Sequence, residues 1–436
     1  MSKSALIIGG GIIGMCTAYY TARRGFRVTV LDRQSRDGDH CVLGSAGMIC
    51  PSHFIPLAAP GMIKLGLKWM WYPESPFRIK PRLDLNLLTW AWFFYRSANR
   101  DSVARAAPLL RDLHLASRAL FVELAALPRG GQRRAQTLSH VRQSLGDGDF
   151  GFTRRGLLML CKTTHALEEE ARTAEMARSL GVPAQVLDSA QTAALDPRIT
   201  MDVEGSVYFP EDCHLDPARF ALFMKTQAAD QGVEFIPNVE VLAGRVSAGR
   251  LEAVQSSAGD FSADEVVLCG GAWSPAFAKS AGIRLPMQAG KGYRLTLSHP
   301  RQLPDLCSIL AEARVAVTPL PGGRLRFGGT MEMAGMNESI RPRRVRGIVK
   351  SVPKYFPAFR EGDFEGVEPW CGLRPCSPDG LPYLGRFRDF RNFSCATGHG
   401  MLGLSLGPIT AQLMADVLAG ESARLDISAL KPDRFS

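Results

Sequence analysis

Glycine and aspartate residues near the amino terminus have the spacing of a nucleotide-binding turn. The pattern Gly9-x-Gly11-x-x-Gly14 is followed by Asp32, eighteen residues after Gly14. Glycine permits a tight turn and close backbone approach, amides at a helix amino terminus bind a pyrophosphate, and a carboxylate accepts hydrogen bonds from a ribose diol. The spacing therefore predicts a dinucleotide site. We expect the same site to include Ile12, Ile13 and Arg33.

The elements around this motif are predicted to form a βαβ unit. Residues 5–8 and 27–31 are short apolar runs typical of buried parallel strands, and residues 12–24 between them have helical character until Gly25. The second run ends at Asp32, where a parallel sheet presents ligand-binding residues. An α/β fold with a Rossmann-like, doubly wound parallel sheet follows from this arrangement.

A second strand that runs into glycine lies far along the chain and favours FAD over NAD. Residues 266–269 form an apolar strand followed by Gly270, Gly271 and Trp273. Two such turns suit a long ligand that crosses the edge of one sheet, although strands often end in glycine.

Composition excludes several classes of protein. The 436 residues are 46% hydrophobic and 22% charged, which is typical of a globular protein and not of a disordered chain. Ten cysteines without paired spacing predict neither a disulfide scaffold nor a metal site, and they favour a reducing, cytoplasmic compartment. The net charge of +10 comes without a nucleic-acid-binding motif, so we expect no nucleic-acid partner.

Beyond these patterns, the chain resembles the FAD-dependent amino-acid oxidoreductases of the D-amino-acid oxidase type. The likeness rests on seven ordered blocks: residues 9–33, 45–47, 266–274, 286–293, 328–332, 370–375 with 379–380, and 397–400. Within the family, Ala46-Gly47 followed by Pro51 and by residues 58–61 is most similar to the bacterial D-amino-acid dehydrogenase branch. The resemblance implies FAD as cofactor and hydride transfer from the α-carbon of a D-amino acid to flavin N5.

Site residues follow from the resemblance position by position. Arg374 in Gly-Leu-Arg-Pro matches the arginine that binds the substrate carboxylate, for which a planar guanidinium suits two-point pairing. His399 either lines the site or makes a structural hydrogen bond. The implied cofactor contacts outside the first motif are Ser45, Ala46, Gly47, Met48, Val241, Gly270, Gly271, Trp273, Arg374, Gly398, His399, Gly400, Met401 and Leu402.

One departure from the branch bears on the substrate. Where the branch often has Tyr-Lys, this chain has Ala313-Arg314, so a tyrosine hydroxyl for the carboxylate would be missing. A cyclic substrate, D-proline or D-hydroxyproline, is the expectation that we draw from the changed pocket. The candidates to replace the tyrosine are Arg314, Glu312, Tyr293 and His53, the last at a position where the branch commonly has tyrosine.

The expected organisation is two interleaved domains. Residues 1–60, 187–284 and 366–436 are assigned to the FAD-binding domain. Residues 61–186 and 285–365 are assigned to an α+β substrate domain on a mainly antiparallel sheet, with a helical insertion near residues 62–127 and a surface loop at 130–149.

Aromatic and basic residues between 64 and 96 leave two interpretations open. They could form a peripheral contact with the inner face of the membrane, where quinone acceptors reside, or they could fill the substrate-domain core. A quinone or an electron-transfer protein is the expected electron acceptor. An oxygen-using amino-acid or sarcosine-type oxidase, a flavin-bearing subunit of a larger dehydrogenase and covalent flavin attachment also stay open.

Overall fold

The computed structural model describes residues 2–35, 38, 40–70, 72, 74–127 and 149–436. Trp71 and all but the last residue of the loop expected at 130–149 lie outside the described residues.

The strands are β1 Ser4–Ile8, β2 Arg27–Leu31, β3 Met48–Ile49, β4 Phe77–Ile79, β5 Leu157–Cys161, β6 Gln185–Asp188, β7 Gly205–Phe209, β8 Cys213–His214, β9 Glu234–Ile236, β10 Val241–Ser247, β11 Arg250–Ser256, β12 Gly259–Phe261, β13 Glu265–Leu268, β14 Gln288–Leu297, β15 Cys307–Leu310, β16 Val315–Leu320, β17 Arg324–Met333, β18 Trp370–Cys376, β19 Tyr383–Arg386 and β20 Phe393–Thr397. The helices are α1 Ile12–Arg23, α2 Met62–Met70, α3 Leu85–Ser97, α4 Arg100–Ala125, α5 Thr164–Ser179, α6 Ser189–Leu195, α7 Pro217–Asp230, α8 Ser274–Ser280, α9 Pro342–Tyr355 and α10 Gly403–Ala419.

The predicted βαβ unit lies at the centre of a six-stranded sheet in the order β19-β20-β13-β1-β2-β9. Strands β20, β13, β1, β2 and β9 pair in parallel, and β19 closes one edge antiparallel to β20. The central strands are apolar throughout because helices cover the sheet, with α1 and α10 packed together on one face. The carboxyl ends of β1, β2 and β13 therefore meet at one edge.

A larger sheet has the order β18-β14-β17-β16-β15-β5-β7-β6, and β4 pairs in parallel with β17. Its pairs are antiparallel except for β4 with β17 and β5 with β15. This agrees with the predicted mainly antiparallel second sheet. The register places Arg374 of β18 opposite Gly290 of β14.

Several elements pack with a different sheet from the one expected for their domain segment. Strands β7 and β18 fall in segments assigned to FAD binding, yet both pair within the larger sheet. Helix α4 falls in a segment assigned to the substrate domain, yet Leu110 and Phe121 are buried in the same apolar cluster as α1 and α10. Each of these elements packs where its apolar side chains are buried, and not where its position in the chain would place it.

Helix α10 starts close to the turn that follows β20. It begins at Gly403, and Pro408 lies inside it. The amide of Leu406 already donates to the carbonyl of Leu402 at 2.8 Å. The helix amino terminus therefore follows directly on the glycine-rich turn.

Candidate active site

A cavity of about 830 Å³ runs along the carboxyl edge of the six-stranded sheet and continues to the larger sheet. One end is lined by the glycine turn after β1, and the other by strands of the larger sheet. It brings together most of the predicted site residues: Gly9, Gly11, Ile12, Ile13, Asp32, Arg33, Ser45, Ala46, Met48, His53, Val241, Gly270, Gly271, Trp273, Tyr293, Arg314, Arg374, His399, Gly400, Met401 and Leu402.

The first glycine turn leaves room for a phosphate group. Gly9 has φ +106°, and a Cβ on it would lie 2.6 Å from the carbonyl oxygen of Cys269. A Cβ on Gly11 would meet no protein atom within 4 Å, so this glycine borders open space in the cavity. Gly11 caps α1 without a side-chain hydrogen bond. The first-turn amides of α1 are therefore available to an anion.

The carboxylate of Asp32 lies at the end of β2 and lines the same cavity. One oxygen accepts a hydrogen bond from the amide of Gly10, and the other accepts from the amide of Gln34 at 2.7 Å. These bonds fix the carboxylate beside the glycine turn. Next to it, the guanidinium of Arg33 stacks 3.7 Å above the ring of Trp273, which joins the ends of β2 and β13.

The turn after β20 and the amino terminus of α10 line the middle of the cavity. Leu402 caps α10 without a side-chain hydrogen bond, so its first-turn amides are also available. The Nε2 atom of His399 lies 3.0 Å from Oγ1 of Thr410, and burial lowers the pKa of His399 to about 3. His399 lines the cavity as a neutral side chain held by α10.

Arg374 projects from β18 into the cavity. Its Nη1 donates to the carbonyl of Thr330 at 2.6 Å, and a Cβ on Gly292 would lie 2.2 Å from the guanidinium. Within the described ranges, no carboxylate lies within ion-pair distance of this group. Burial lowers the pKa of Arg374, yet the group stays cationic because a guanidinium is not deprotonated in proteins. A partly buried cation without a carboxylate partner favours an anionic ligand.

His53 lines the cavity wall and belongs to a buried polar cluster. Its Nδ1 lies 3.0 Å from Oγ of Ser52, and Ser52 donates to Asp212 from both its hydroxyl, at 2.6 Å, and its amide, at 3.0 Å. Burial lowers the pKa of His53 to about 4, with a further contribution from Arg314. Burial raises the pKa of Asp212 to about 7. Ligand atoms of Cys50, His53 and Asp212 lie within 4.8 Å of one another, but both oxygens of Asp212 already accept hydrogen bonds.

Arg314 and Glu170 line the wall on the side of the larger sheet. Arg314 has φ +51°, an uncommon backbone conformation for a residue other than glycine. Burial raises the pKa of Glu170, and Arg314 partly opposes that shift. The apolar residues of this wall are Met159, Phe209, Ile309 and Ala316.

Glu312, a predicted site residue, lies apart from the cavity. Glu312 does not line the cavity, and its carboxylate accepts hydrogen bonds from the amides of Lys162 and Thr163 and from the hydroxyl of Tyr355. Through these hydrogen bonds, Glu312 holds the link between the end of β5 and the start of α5. Tyr293 does line the cavity, but its hydroxyl donates to the buried Glu332 at 2.8 Å.

Three glycines predicted to contact the cofactor do not themselves line the cavity. A Cβ on Gly14 would lie 1.8 Å from the carbonyl oxygen of Gly9, one on Gly47 2.3 Å from that of Leu215, and one on Gly398 2.7 Å from the ring of Tyr383. None of the three glycines lines the cavity. They permit close packing of the turns that do.

Several cavity residues were not predicted. Glu170 and Thr173 share a face of α5, but helical spacing alone could not show which face meets the cavity. Thr330 has φ +67°, a conformation that sequence patterns do not reveal in a threonine. Ser52 carries no motif, and its partner Asp212 is 160 residues away in the chain.

Comparisons with known proteins agree with this geometry. Residues 4–417 match the family DAO, described as FAD dependent oxidoreductase. The chain belongs to this family. D-amino acid dehydrogenases from Granulibacter bethesdensis and Paramagnetospirillum magneticum are each 31% identical over 436 residues, covering 99% of this chain and 99% and 98% of those proteins. The crystal structure of glycine oxidase from Geobacillus kaustophilus has a TM-score of 0.75 at 23% identity over 99% of both chains, and so shows a shared fold.

These findings confirm the resemblance and the fold class predicted from the sequence, and FAD is the cofactor. The cavity fits it on the protein's own features: open space at Gly11, a fixed carboxylate at Asp32 and two helix amino termini without side-chain caps. No helix among the described residues is both long and apolar enough to cross a bilayer.

Proposed function

We propose that this protein oxidises a D-amino acid, with Arg374 as the anchor of the substrate carboxylate. The observation that carries the proposal is the guanidinium of Arg374, which is partly buried, lines the cavity and has no carboxylate partner among the described residues. Relatives of near-equal length named D-amino acid dehydrogenase support this substrate class.

In this proposal the six-stranded sheet binds the cofactor and the larger sheet binds the substrate. The edge of the six-stranded sheet would hold the cofactor: Gly11 and the α1 amides would bind the pyrophosphate and Asp32 the ribose, and the α10 amino terminus at Leu402 favours negative charge. FAD, when bound, accepts hydride from the substrate α-carbon. The wall formed by the larger sheet would bind and orient the substrate.

We propose D-proline or D-hydroxyproline as the preferred substrate. The hydroxyl of Tyr293 is bound to Glu332 and therefore does not supply the missing tyrosine contact to a carboxylate. Apolar side chains of Met159, Phe209 and Ile309 suit the methylene groups of a ring. Arg314 on the same wall would take a second polar group of the ligand, such as a ring hydroxyl.

Anaerobic bleaching of the flavin absorbance by a panel of D- and L-amino acids, primary and cyclic, tests the proposal. We expect bleaching by D-amino acids, fastest with a D-proline, and roughly 100-fold weaker binding in Arg374→Lys because an ammonium cannot pair at two points. Arg386→Lys is the matched control, since Arg386 pairs with Glu265 outside the cavity. Bleaching only by L-amino acids would refute the function, and faster bleaching by D-alanine would refute the cyclic preference.

We also propose that α3 docks on an acidic membrane surface, from which a quinone accepts the electrons. Leu85, Leu88, Trp92 and Tyr95 are 58% to 81% exposed and lie three or four residues apart, so they share one helix face. The opposite face packs inward through Leu87 and Trp90. The exposed basic residues in this part of the chain are Lys64, Lys68, Lys80 and Arg96.

Location and charge support a bilayer as the partner of this face. Met62 and Trp69 of α2, together with Phe77 of β4, line the cavity, so this part of the chain borders the route to the flavin site. Exposed apolar side chains, together with exposed basic residues in the same part of the chain, complement an anionic interface.

Sedimentation with vesicles tests the docking surface. We expect binding to phosphatidylglycerol vesicles but not to phosphatidylcholine vesicles, and loss of binding in the double variant Leu88→Glu, Trp92→Glu. Flavin reduction by substrate should be unchanged in that variant, because neither side chain lines the cavity. Absence of binding to anionic vesicles, or equal binding by the variant, would overturn the membrane proposal.

A further inference from the structure

The buried cluster behind His53 is a directed chain of hydrogen bonds. Ser52 has one hydroxyl proton, and the 2.6 Å contact to Oδ2 of Asp212 uses it while that carboxylate is ionised. Oγ of Ser52 must then accept from His53, whose Nδ1 lies 3.0 Å away. His53 is therefore the tautomer with hydrogen on Nδ1 and a lone pair on Nε2.

The lone pair of His53 faces the cavity. Nε2 has no hydrogen-bond partner among the described residues, and it is not one of their buried unpaired atoms, so it is accessible where His53 lines the cavity. The segment is fixed beside α10, because the amide of Cys50 donates to Oγ of Ser405 at 3.2 Å. His114 holds the same Oγ at 3.0 Å. An imidazole acceptor is thus fixed close to the helix end assigned to the flavin.

We propose that His53, Ser52 and Asp212 form a proton relay that takes the proton from the ammonium group of the substrate. This inference rests on the function proposed above, because an ammonium nitrogen has no lone pair with which to form the C=N bond as hydride leaves. His53 is the catalytic residue of the relay, and Ser52 and Asp212 are positioning residues that act through it.

The step balances within these groups. An N–H bond of the ammonium breaks and Nε2–H forms on His53, while Nδ1–H breaks and a proton passes to Oγ of Ser52. The hydroxyl proton of Ser52 moves to Oδ2 of Asp212, which becomes a neutral carboxylic acid. The substrate is left as a free amine, and His53 ends in the opposite tautomer.

The electrostatic surroundings suit this direction of transfer. Arg314 faces His53 and, with burial, keeps it neutral, with a pKa of about 4. Burial gives Asp212 a pKa of about 7, so it can exchange a proton near neutral pH. The other titratable groups facing the two side chains are His114 and Arg118 of α4, Cys50, Cys213 and Cys307, and Arg118 is itself paired with Glu211.

The pH dependence of flavin reduction tests the relay in the holoenzyme. In the wild type, the rate constant at saturating D-amino acid should rise up to about pH 7 and then level off. Ser52→Ala and Asp212→Asn should slow it about 100-fold at neutral pH, as expected for loss of a general base. Near pH ~10, where an alkylammonium loses its proton unaided, both variants should recover to within a few-fold of wild type.

A matched control separates the relay from a packing defect. Ser394 is also a buried serine, in β20, and its hydroxyl has no partner among the described residues. Ser394→Ala should keep the wild-type profile. A Ser52→Ala profile parallel to wild type at every pH, or equal losses in both alanine variants, would overturn the relay.

The tautomer of His53 gives a readout that needs no substrate. Nitrogen-15 NMR of histidine-labelled holoenzyme, with the His53 signals assigned through His53→Gln, should show Nδ1–H at pH 8 and Nε2–H at pH 5.5, because a protonated Asp212 reverses the chain. Ser52→Ala should abolish the switch. An Nε2–H tautomer at both pH values overturns the relay. A switch without flavin reduction by any D-amino acid would instead refute the proposed substrate.

Discussion

Nη1 of Arg374 donates to the main-chain carbonyl of Thr330 across 2.6 Å, and Thr330 holds that carbonyl with φ +67°. A positive φ is unfavourable for a β-branched residue and persists only where surrounding structure enforces it. This strained backbone within β17 directs one carbonyl at one side of the guanidinium. The remaining N–H groups of Arg374 are left to the cavity.

Arg374→Met should separate stability from binding. Burial of a cation without a counterion disfavours the folded state, and methionine removes that cost while filling much of the volume. We expect the free energy of unfolding of the variant to be unchanged or higher, while substrate affinity falls by about 100-fold. Chemical denaturation and anaerobic substrate titration measure the two quantities. A variant that is clearly less stable would show that Arg374 also holds the fold.

Two glycines of the first motif should respond differently to alanine. In Gly11→Ala the new methyl group meets no protein atom within 4 Å, so the apoprotein should fold normally and lose FAD affinity. In Gly14→Ala the methyl group would lie 1.8 Å from the Gly9 carbonyl oxygen, so the fold itself should be destabilised. Urea denaturation of apoprotein and FAD titration by fluorescence quenching distinguish the outcomes. Equal stability losses in both variants would contradict the cofactor role of Gly11.

Local patterns predicted the cofactor part of the fold better than the substrate part. The βαβ unit could be predicted because its strands, helix and glycine turn lie within one short segment. The parallel pairing of β5 with β15 joins residues 157–161 to 307–310 and depends on packing of the complete sheet. Pairing between such distant segments has no local signal in the sequence, so the sequence did not show that β7 and β18 pair within the larger sheet.

Within the site, too, residues in local motifs could be predicted from the sequence, and residues placed by distant packing could not. Arg374 could be placed through its motif, and the structure puts it in the cavity. Glu312 is two residues from Arg314 in sequence, but Arg314 has a left-handed backbone and the two side chains reach different environments. The partnership of Ser52 with Asp212 exists only after distant segments pack together.

Glu312→Gln should change stability and leave catalysis intact. The carboxylate accepts hydrogen bonds from the amides of Lys162 and Thr163, which the variant would weaken. We expect a loss of about 1 kcal/mol in the free energy of unfolding, typical of weakened hydrogen bonds. Rate constants and substrate affinity for flavin reduction should stay within twofold of wild type. A large change in substrate affinity would return Glu312 to the site.

Asp212→Asn should make the protein more stable at alkaline pH. Burial raises the pKa of this carboxyl from 3.8 to about 7, so the folded state holds a proton that the unfolded state releases. Stability of the wild type is therefore lost as pH rises from about 4 to 7, and above pH 7 the cost is constant.

Asparagine has no carboxyl proton to lose, and its amide can still bond to Ser52 on both sides. The variant should match wild type near pH 4 and exceed it at pH 8 by up to about 4 kcal/mol, the upper bound set by the pKa difference. Urea denaturation across this pH range measures the difference in the free energy of unfolding. Ser394→Ala is the buried control, and its difference from wild type should not change with pH. A constant difference at all pH values would mean that Asp212 keeps an ordinary pKa in the folded protein, and the relay would then lose its proton acceptor near neutral pH.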